Sequence, residues 1–158
     1  MRKIFGAAVV IILATCGASP SWSAGDPCTL VSDPATLFGQ PVTAKRTTEV
    51  NKTVSCSWTT AEGRVCGSVT VFGPGWNETS DVPRTYGALT VSMGAFGKPS
   101  DVSGIGEEAR AVDGGMFGAQ LAFRTSKAAV LVGAACSSTS TKAPAIAEKL
   151  SRAIAPRF

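Results

Sequence analysis

The 158 residues give room for one domain, which excludes a protein assembled from several domains. With 44% hydrophobic and 16% charged residues, the composition is that of a globular protein and not of a disordered chain or a coiled coil. Histidine is absent from the sequence, so imidazole bases, His-Asp triads and histidine metal ligands are excluded.

The first 24 residues have the features of a secretory signal peptide. Arg2 and Lys3 form a positive start, and the eleven residues that follow are all apolar or glycine. We therefore interpret residues 1–24 as a signal peptide. Residues 25–158 are then expected to form one extracytoplasmic domain, either periplasmic or secreted.

Two details of this leader stay open. Cleavage after Ser23 fits the small residues near it, and cleavage after Ala24 or Ala18 is an alternative. Cys16 resembles the lipidated cysteine of a lipoprotein signal, although Thr15 departs from the small residue expected before it. A membrane-anchored lipoprotein is therefore the alternative localisation, and we expect membrane contact only through Cys16.

The charge of the chain argues against a nucleic-acid partner. The formal net charge is +4, with 15 Lys and Arg against 11 Asp and Glu. Loss of Arg2 and Lys3 with the leader leaves 13 against 11, a net charge of +2. The remaining basic residues are scattered, whereas nucleic-acid binding requires a clustered basic surface.

Cysteine spacing predicts two disulfides. Once Cys16 is removed with the leader, an even set remains: Cys28, Cys56, Cys66 and Cys136. No two of these have the close spacing of zinc ligands, so we expect neither a metal nor a cofactor. Four cysteines allow three pairings, and loop length does not distinguish among them.

A predicted hairpin reduces the three pairings to two. Residues 53–60 and 65–72 each alternate between apolar and polar side chains, as strands with one buried face do. A four-residue loop over 60–63 would place Trp58 opposite Val65, with both apolar sets on one side of the sheet.

In that register Cys56 and Cys66 point to opposite faces, which disfavours a bridge between them. Two arrangements stay open. Cys28 pairs either with Cys56, leaving Cys66 with Cys136, or with Cys66, leaving Cys56 with Cys136.

The other elements complete an α+β pattern. We expect an antiparallel twisted sheet of five to six strands, packed with a short N-terminal helix and a C-terminal helix. Residues 128–136 are apolar on both faces, which is typical of a central strand. The sequence predicts helices over 32–39, 81–93 and 144–155, an edge strand over 43–50, a loop over 94–106, and further strands over 107–112 and 119–126.

Two patterns that suggest catalysis fit a structural role better. Residues 104–109 match a dinucleotide-binding fingerprint, but a strand and not a helix is predicted to follow the glycines. We interpret them as a tight turn whose carboxylates cap backbone N–H groups. Glu107 and Glu108 are adjacent on the predicted strand, so they should face opposite ways and not act as an acid/base pair.

The glycine-rich loop over 73–77 carries Trp76 at its tip. An aromatic side chain on such a loop can stack on a ligand or partner, or it can fold back over the nearest hydrophobic edge. We predict Trp76 as a candidate contact residue, and the second arrangement is the structural alternative.

Short motifs laid in order suggest a family. The segments are Cys28-Thr29-Leu30-Val31-Ser32, Leu37 with Gly39, Cys56-Ser57-Trp58, Val102 to Ala109 and the final helix. With these segments in this order, the chain resembles a group of small bacterial secreted or lipoprotein domains of unknown function. These domains are common in actinobacteria and have a PsbP-like sandwich. The resemblance implies a Cys28–Cys56 bridge, and by subtraction Cys66 with Cys136. It implies no established catalytic residue.

These observations predict an exported, non-enzymatic domain that binds a partner protein, an envelope component or a small ligand through one face of its sheet. Two alternatives stay open: an extracytoplasmic enzyme that works through carboxylates, and a purely structural protein of the cell envelope.

Overall fold

A computed structural model describes residues 25–49, 52–136 and 142–158. The predicted leader, including Cys16, lies outside these residues, as does the region of the proposed cleavage sites. The described chain folds into seven strands and three helices. In chain order these are α1 (Pro34–Phe38), β1 (Thr43–Thr48), β2 (Val54–Thr59), β3 (Val65–Phe72), α2 (Val82–Met93), β4 (Ser100–Asp101), β5 (Glu108–Asp113), β6 (Ala119–Arg124), β7 (Ala129–Ala134) and α3 (Ala143–Ile154).

All seven strands form one sheet in the order β1-β2-β3-β7-β6-β5-β4, and each neighbouring pair is antiparallel. The predicted α+β class is confirmed, and β7 is the central strand, as its two apolar faces predict. The predicted count of five to six strands is wrong. The seventh strand is the two-residue β4, which lies in the segment predicted as a loop and is too short to show a pattern.

The first face of the sheet carries the main hydrophobic core. Helix α3 packs on it with Ile146, Leu150 and Ile154 buried at helical spacing. Ala147 is buried beside them, whereas Ala153 is exposed. Helix α1 and a 3-10 turn at Pro27–Leu30 complete this layer beside α3.

Helix α2 packs on the second face. Its N-cap is Asp81, whose carboxylate accepts a hydrogen bond from the Arg84 N–H at 3.0 Å. Tyr86 and Met93 are buried, and Leu89 packs beside them. They contact side chains of β5, β6 and β7, so α2 covers one half of this face and leaves β1, β2 and most of β3 open.

The predicted hairpin exists, but its register is wrong at the turn. Thr59 lies opposite Val65 and Trp58 opposite Gly67, because a bulge follows Trp58. Val65 is consequently 47% exposed instead of lying on the apolar face. Cys66 is buried in the same core as Cys56, so the argument that they point to opposite faces fails.

The cysteines nevertheless pair as the family resemblance implies, Cys28 with Cys56 and Cys66 with Cys136. The first bridge ties the 3-10 turn at Pro27–Leu30 to β2, and the second ties β3 to the end of β7. Two disulfides indicate an extracytoplasmic protein, because reducing compartments keep thiols free.

Candidate functional site

The loop that carries Trp76 is held in one conformation by its own backbone. The N–H groups of Trp76 and Asn77 both donate to the Gly73 carbonyl, at 2.9 and 3.1 Å. The side-chain oxygen of Asn77 accepts from the N–H groups of Gly73 and Thr79, at 2.9 and 3.1 Å. These hydrogen bonds therefore fix the backbone position of Trp76.

The indole of Trp76 is half-buried against the edge of the main core. Its ring centroid lies 5.6 Å from that of Phe158, which in turn lies 6.5 Å from the ring of Phe123. Gly25 runs beside the indole so closely that a Cβ there would lie 2.8 Å from it. The ring thus folds back on the core, which was the structural alternative, while part of it stays open to solvent.

The open part of Trp76 lines a cleft with a volume of about 690 Å³. Lys52 from the β1–β2 connection forms another wall and pairs with Glu78 at 2.5 Å. That hydrogen bond and the opposite charge raise the pKa of the Lys52 ammonium and lower the pKa of the Glu78 carboxyl. Both side chains are about three-quarters exposed, so the pair forms a charged rim on the cleft. The remaining lining residues are Pro74, Gly75, Asn77, Thr79 and Ser80.

A second cavity, of about 380 Å³, lies between α2 and the β4–β5 edge and contains a network of charges. Arg124 donates to Glu107 at 2.6 Å and to Glu108 at 3.2 Å. Asp101 pairs with Arg110 at 2.9 Å. The sequence-based role of the two glutamates as caps of backbone N–H groups is therefore wrong.

Their predicted orientation is also wrong, because both carboxylates reach one guanidinium. Glu107 precedes β5, so it does not follow the alternation of a strand. The tight turn itself is present. Gly106 has φ of 58°, and a Cβ there would collide with the Arg124 carbonyl.

This charge network is poorly suited to acid catalysis. The hydrogen bond from Arg124 lowers the pKa of Glu108, so that carboxyl is ionised at neutral pH and cannot donate a proton there. Burial raises the pKa of the Tyr86 hydroxyl, which stays protonated. Among the described residues, no three His, Cys, Asp or Glu side chains gather in a way that could hold a metal ion.

Two surfaces were missed by the sequence reasoning. The first is the open half of the second face, where cross-strand partners place hydroxyl side chains in rows. Its signal was the run of Ser and Thr between apolar residues. The face carries Thr43, Lys45, Thr47, Ser55, Ser57, Thr59, Ser68 and Thr70.

The second missed surface is the β5–β6 turn. Met116 is 92% exposed and Phe117 74% exposed, on a 3-10 turn that begins at Gly115. Phe96 lies beside this turn and is also exposed. A Gly-Gly-Met-Phe-Gly segment in the sequence was the available signal, since large apolar residues between glycines have little to pack against.

Comparison with protein-family models, curated proteins and solved structures finds no match for this chain. In the part of the chain that the structure describes, every helix is too short or too polar to span a lipid bilayer.

Proposed function

We propose that the protein is an exported, non-enzymatic binding domain whose ligand occupies the cleft beside Trp76. The observation that carries this proposal is the position of the indole: it forms one wall of a cleft of about 690 Å³, on a loop fixed by Asn77. Clefts of this volume suit small ligands or a short segment of a larger one.

The lining of the cleft suggests the chemistry of the ligand. Trp76 offers an apolar ring surface, while Lys52, Glu78 and the hydroxyls of Thr79 and Ser80 surround it with polar groups. A ligand with an apolar face and a polar rim complements this arrangement. Fragments of envelope glycan have that chemistry, which agrees with an extracytoplasmic domain.

The finer points of the cellular setting belong to the same proposal. Residues 1–24 act as a signal peptide, and the mature domain is periplasmic or secreted, with a lipid anchor on Cys16 as the alternative. The PsbP-like sandwich and the bacterial family of unknown function remain resemblances. Support for the setting comes from the two disulfides, which suit an oxidising compartment.

Isothermal titration calorimetry with soluble peptidoglycan fragments tests the proposal, because it measures the affinity of variants that lack the Trp76 indole as well as that of the wild type. In the wild-type protein cleaved after Ser23, the other tryptophan is Trp58, which is fully buried in the core, so a ligand-dependent change in fluorescence should come from Trp76. We expect Trp76→Ala to weaken binding about tenfold, in line with the loss of one stacking contact. Trp76→Phe should keep the packing on Phe158 and part of the affinity.

The matched control is Phe96→Ala, which removes an exposed aromatic ring from a different part of the surface. It should bind like the wild type. Equal binding by Trp76→Ala and wild type, with both proteins folded, would show that the cleft is not the site. Absence of binding by the wild type would rule out peptidoglycan fragments as the ligand.

A further inference from the structure

The first edge strand, β1, has an open side along its whole length. It pairs with β2 on one side, and among the described residues no strand lies on the other. All six of its residues are exposed, and the strand contains neither proline nor a bulge. Natural sheets usually shorten, bend or cover such an edge, because its free main-chain groups can pair with another strand.

The register of β1 shows which main-chain groups are free. In an antiparallel ladder, directly bonded and non-bonded pairs alternate. The Glu49 N–H donates to the Thr53 carbonyl at 2.8 Å, immediately beyond the β1–β2 pairs and in the same register. Ala44, Arg46 and Thr48 therefore direct their N–H and C=O groups away from β2, toward the open edge.

The edge is positively charged on both faces of the sheet. Lys45 lies across from Ser57 on the second face, and Arg46 lies across from Cys56 on the first. Neither side chain forms an ion pair with any described residue. The six residues of β1 include no acidic one. Two unneutralised cations thus flank the free main-chain groups.

We propose that β1 binds an extended acidic segment of a partner protein, which adds an eighth strand to the sheet. Lys45 and Arg46 are consecutive and face opposite ways, so two adjacent acidic residues at the centre of the partner strand would meet one cation each. Small or β-branched residues on either side of them would match Ala44, Thr47 and Thr48.

The same charges argue against a second copy of this chain as the occupant. Pairing of β1 with β1 of another molecule would bring Lys45 and Arg46 close to their counterparts, and like charges across a ladder destabilise it. The charge on this edge therefore disfavours a second copy of the chain and favours a strand of opposite charge. This interaction is independent of the Trp76 cleft.

A charge-swap experiment tests the proposal on the full oxidised protein. The probe is an acetylated and amidated peptide, Thr-Val-Thr-Glu-Glu-Val-Thr-Val, and its matched partner has Lys-Lys at the centre. Wild type should bind the Glu-Glu peptide, and K45E/R46E should bind it about tenfold more weakly. The same variant should gain affinity for the Lys-Lys peptide. The control K98E/K127E changes the net charge equally at exposed positions outside β1, and it should bind like the wild type.

A second experiment tests the main-chain pairing. It uses a Glu-Glu peptide that is N-methylated at alternate residues, so that the N–H groups that would face β1 are lost. This peptide should bind at least about tenfold more weakly than the parent peptide. Amide exchange should slow at Ala44, Arg46 and Thr48 when the parent peptide is bound. Any of three results would overturn the proposal. They are equal affinity of K45E/R46E and wild type for the Glu-Glu peptide, unchanged exchange at these amides, and protection from exchange that rises with protein concentration in the absence of peptide. The last result would show that a second copy occupies the edge.

Discussion

The two faces of the sheet differ in how much of each is covered by other elements. The first face carries α1, α3 and both disulfides over a continuous core that extends from β2 to β5. Of the helices in the described part of the chain, α2 packs on the second face, over a smaller cluster on β5, β6 and β7. The remaining half of the second face, on β1 to β3, is lined by hydroxyls and covered by no described element.

This difference separates the region that stabilises the fold from the open surfaces, whereas the proposed ligand site at Trp76 borders the main core. Burial of apolar area is the main source of folding free energy, and most of it lies on the first face. The open half of the second face and the β1 edge contribute little to that burial, so their residues can vary with the partner. The predictions below test this division.

The largest effect should follow loss of the Cys66–Cys136 bridge, which closes the longer loop. The two cysteines are 70 residues apart, and C66A/C136A should lower the free energy of unfolding by about 4 kcal/mol. C28A/C56A opens a separation of 28 residues and should cost about 3.5 kcal/mol. Urea unfolding of the oxidised proteins measures both. If either double variant lost less unfolding free energy than Leu89→Ala, described next, the expected difference between the two faces would be contradicted.

A pair of leucines compares the two helix layers directly. Leu150 of α3 is fully buried on the first face, whereas Leu89 of α2 is partly exposed on the second. Leu150→Ala should lower stability by about 3 kcal/mol, because it removes buried methyl groups and leaves a cavity. Leu89→Ala should cost about 1 kcal/mol. Equal losses in chemical denaturation would mean that α2 stabilises the fold as much as α3 does.

Two glycines give the next comparison, with opposite signs. A Cβ at Gly67 of β3 would lie 2.6 Å from the ring of Phe38, so Gly67→Ala should destabilise by about 2 kcal/mol. A Cβ at Gly87 of α2 would meet no atom within 4 Å. Gly87→Ala should therefore stabilise the protein by about 0.5 to 1 kcal/mol through helix propensity. Thermal unfolding distinguishes the two, and a stabilising Gly67→Ala would show that Phe38 moves freely.

The surroundings of Gly67 show why the predicted hairpin register was wrong. Alternation in the sequence places Val65 and Gly67 on one face, but the bulge after Trp58 shifts Val65 out to solvent. The ring of Phe38 packs against the bare Cα of Gly67, a contact between α1 and β3 that no local pattern contains. Periodicity predicted the strands, while tertiary packing determined how they meet.

The candidate sites divide in the same way. The sequence predicts the Trp76 loop and the exposed edge strand β1, because glycine, proline and polar alternation are local signals. The cleft also needs Lys52, which lies on a different connection and pairs with Glu78 across 26 residues. Likewise, Glu107 and Glu108 both pair with Arg124 because the β5–β6 register places Glu108 opposite Arg124. Contacts between separate elements are what the local patterns lack.

The smallest effect should come from the exposed charge pairs, and it depends on pH. The hydrogen bond from Arg124 lowers the pKa of Glu108 in the folded state below the usual value of 4.5. A lowered folded pKa means that the pair stabilises the protein above about pH 4.5, and that this stabilisation is lost as the pH falls through the folded value. The stability difference between wild type and Glu108→Gln should therefore be present at pH 7 and decrease as the pH falls below 4.5.

Glu78→Gln is the matched variant for this test. Its partner Lys52 is 73% exposed, whereas Arg124 is 22% exposed, so solvent and salt screen the Glu78 pair more strongly. Urea unfolding at pH 7 should show a smaller effect for Glu78→Gln than for Glu108→Gln, and one that added salt removes first. A larger effect at Glu78 would mean that the pair on the rim of the Trp76 cleft holds the β1–β2 connection in place, and the separation of the stabilising region from the open surfaces would fail there.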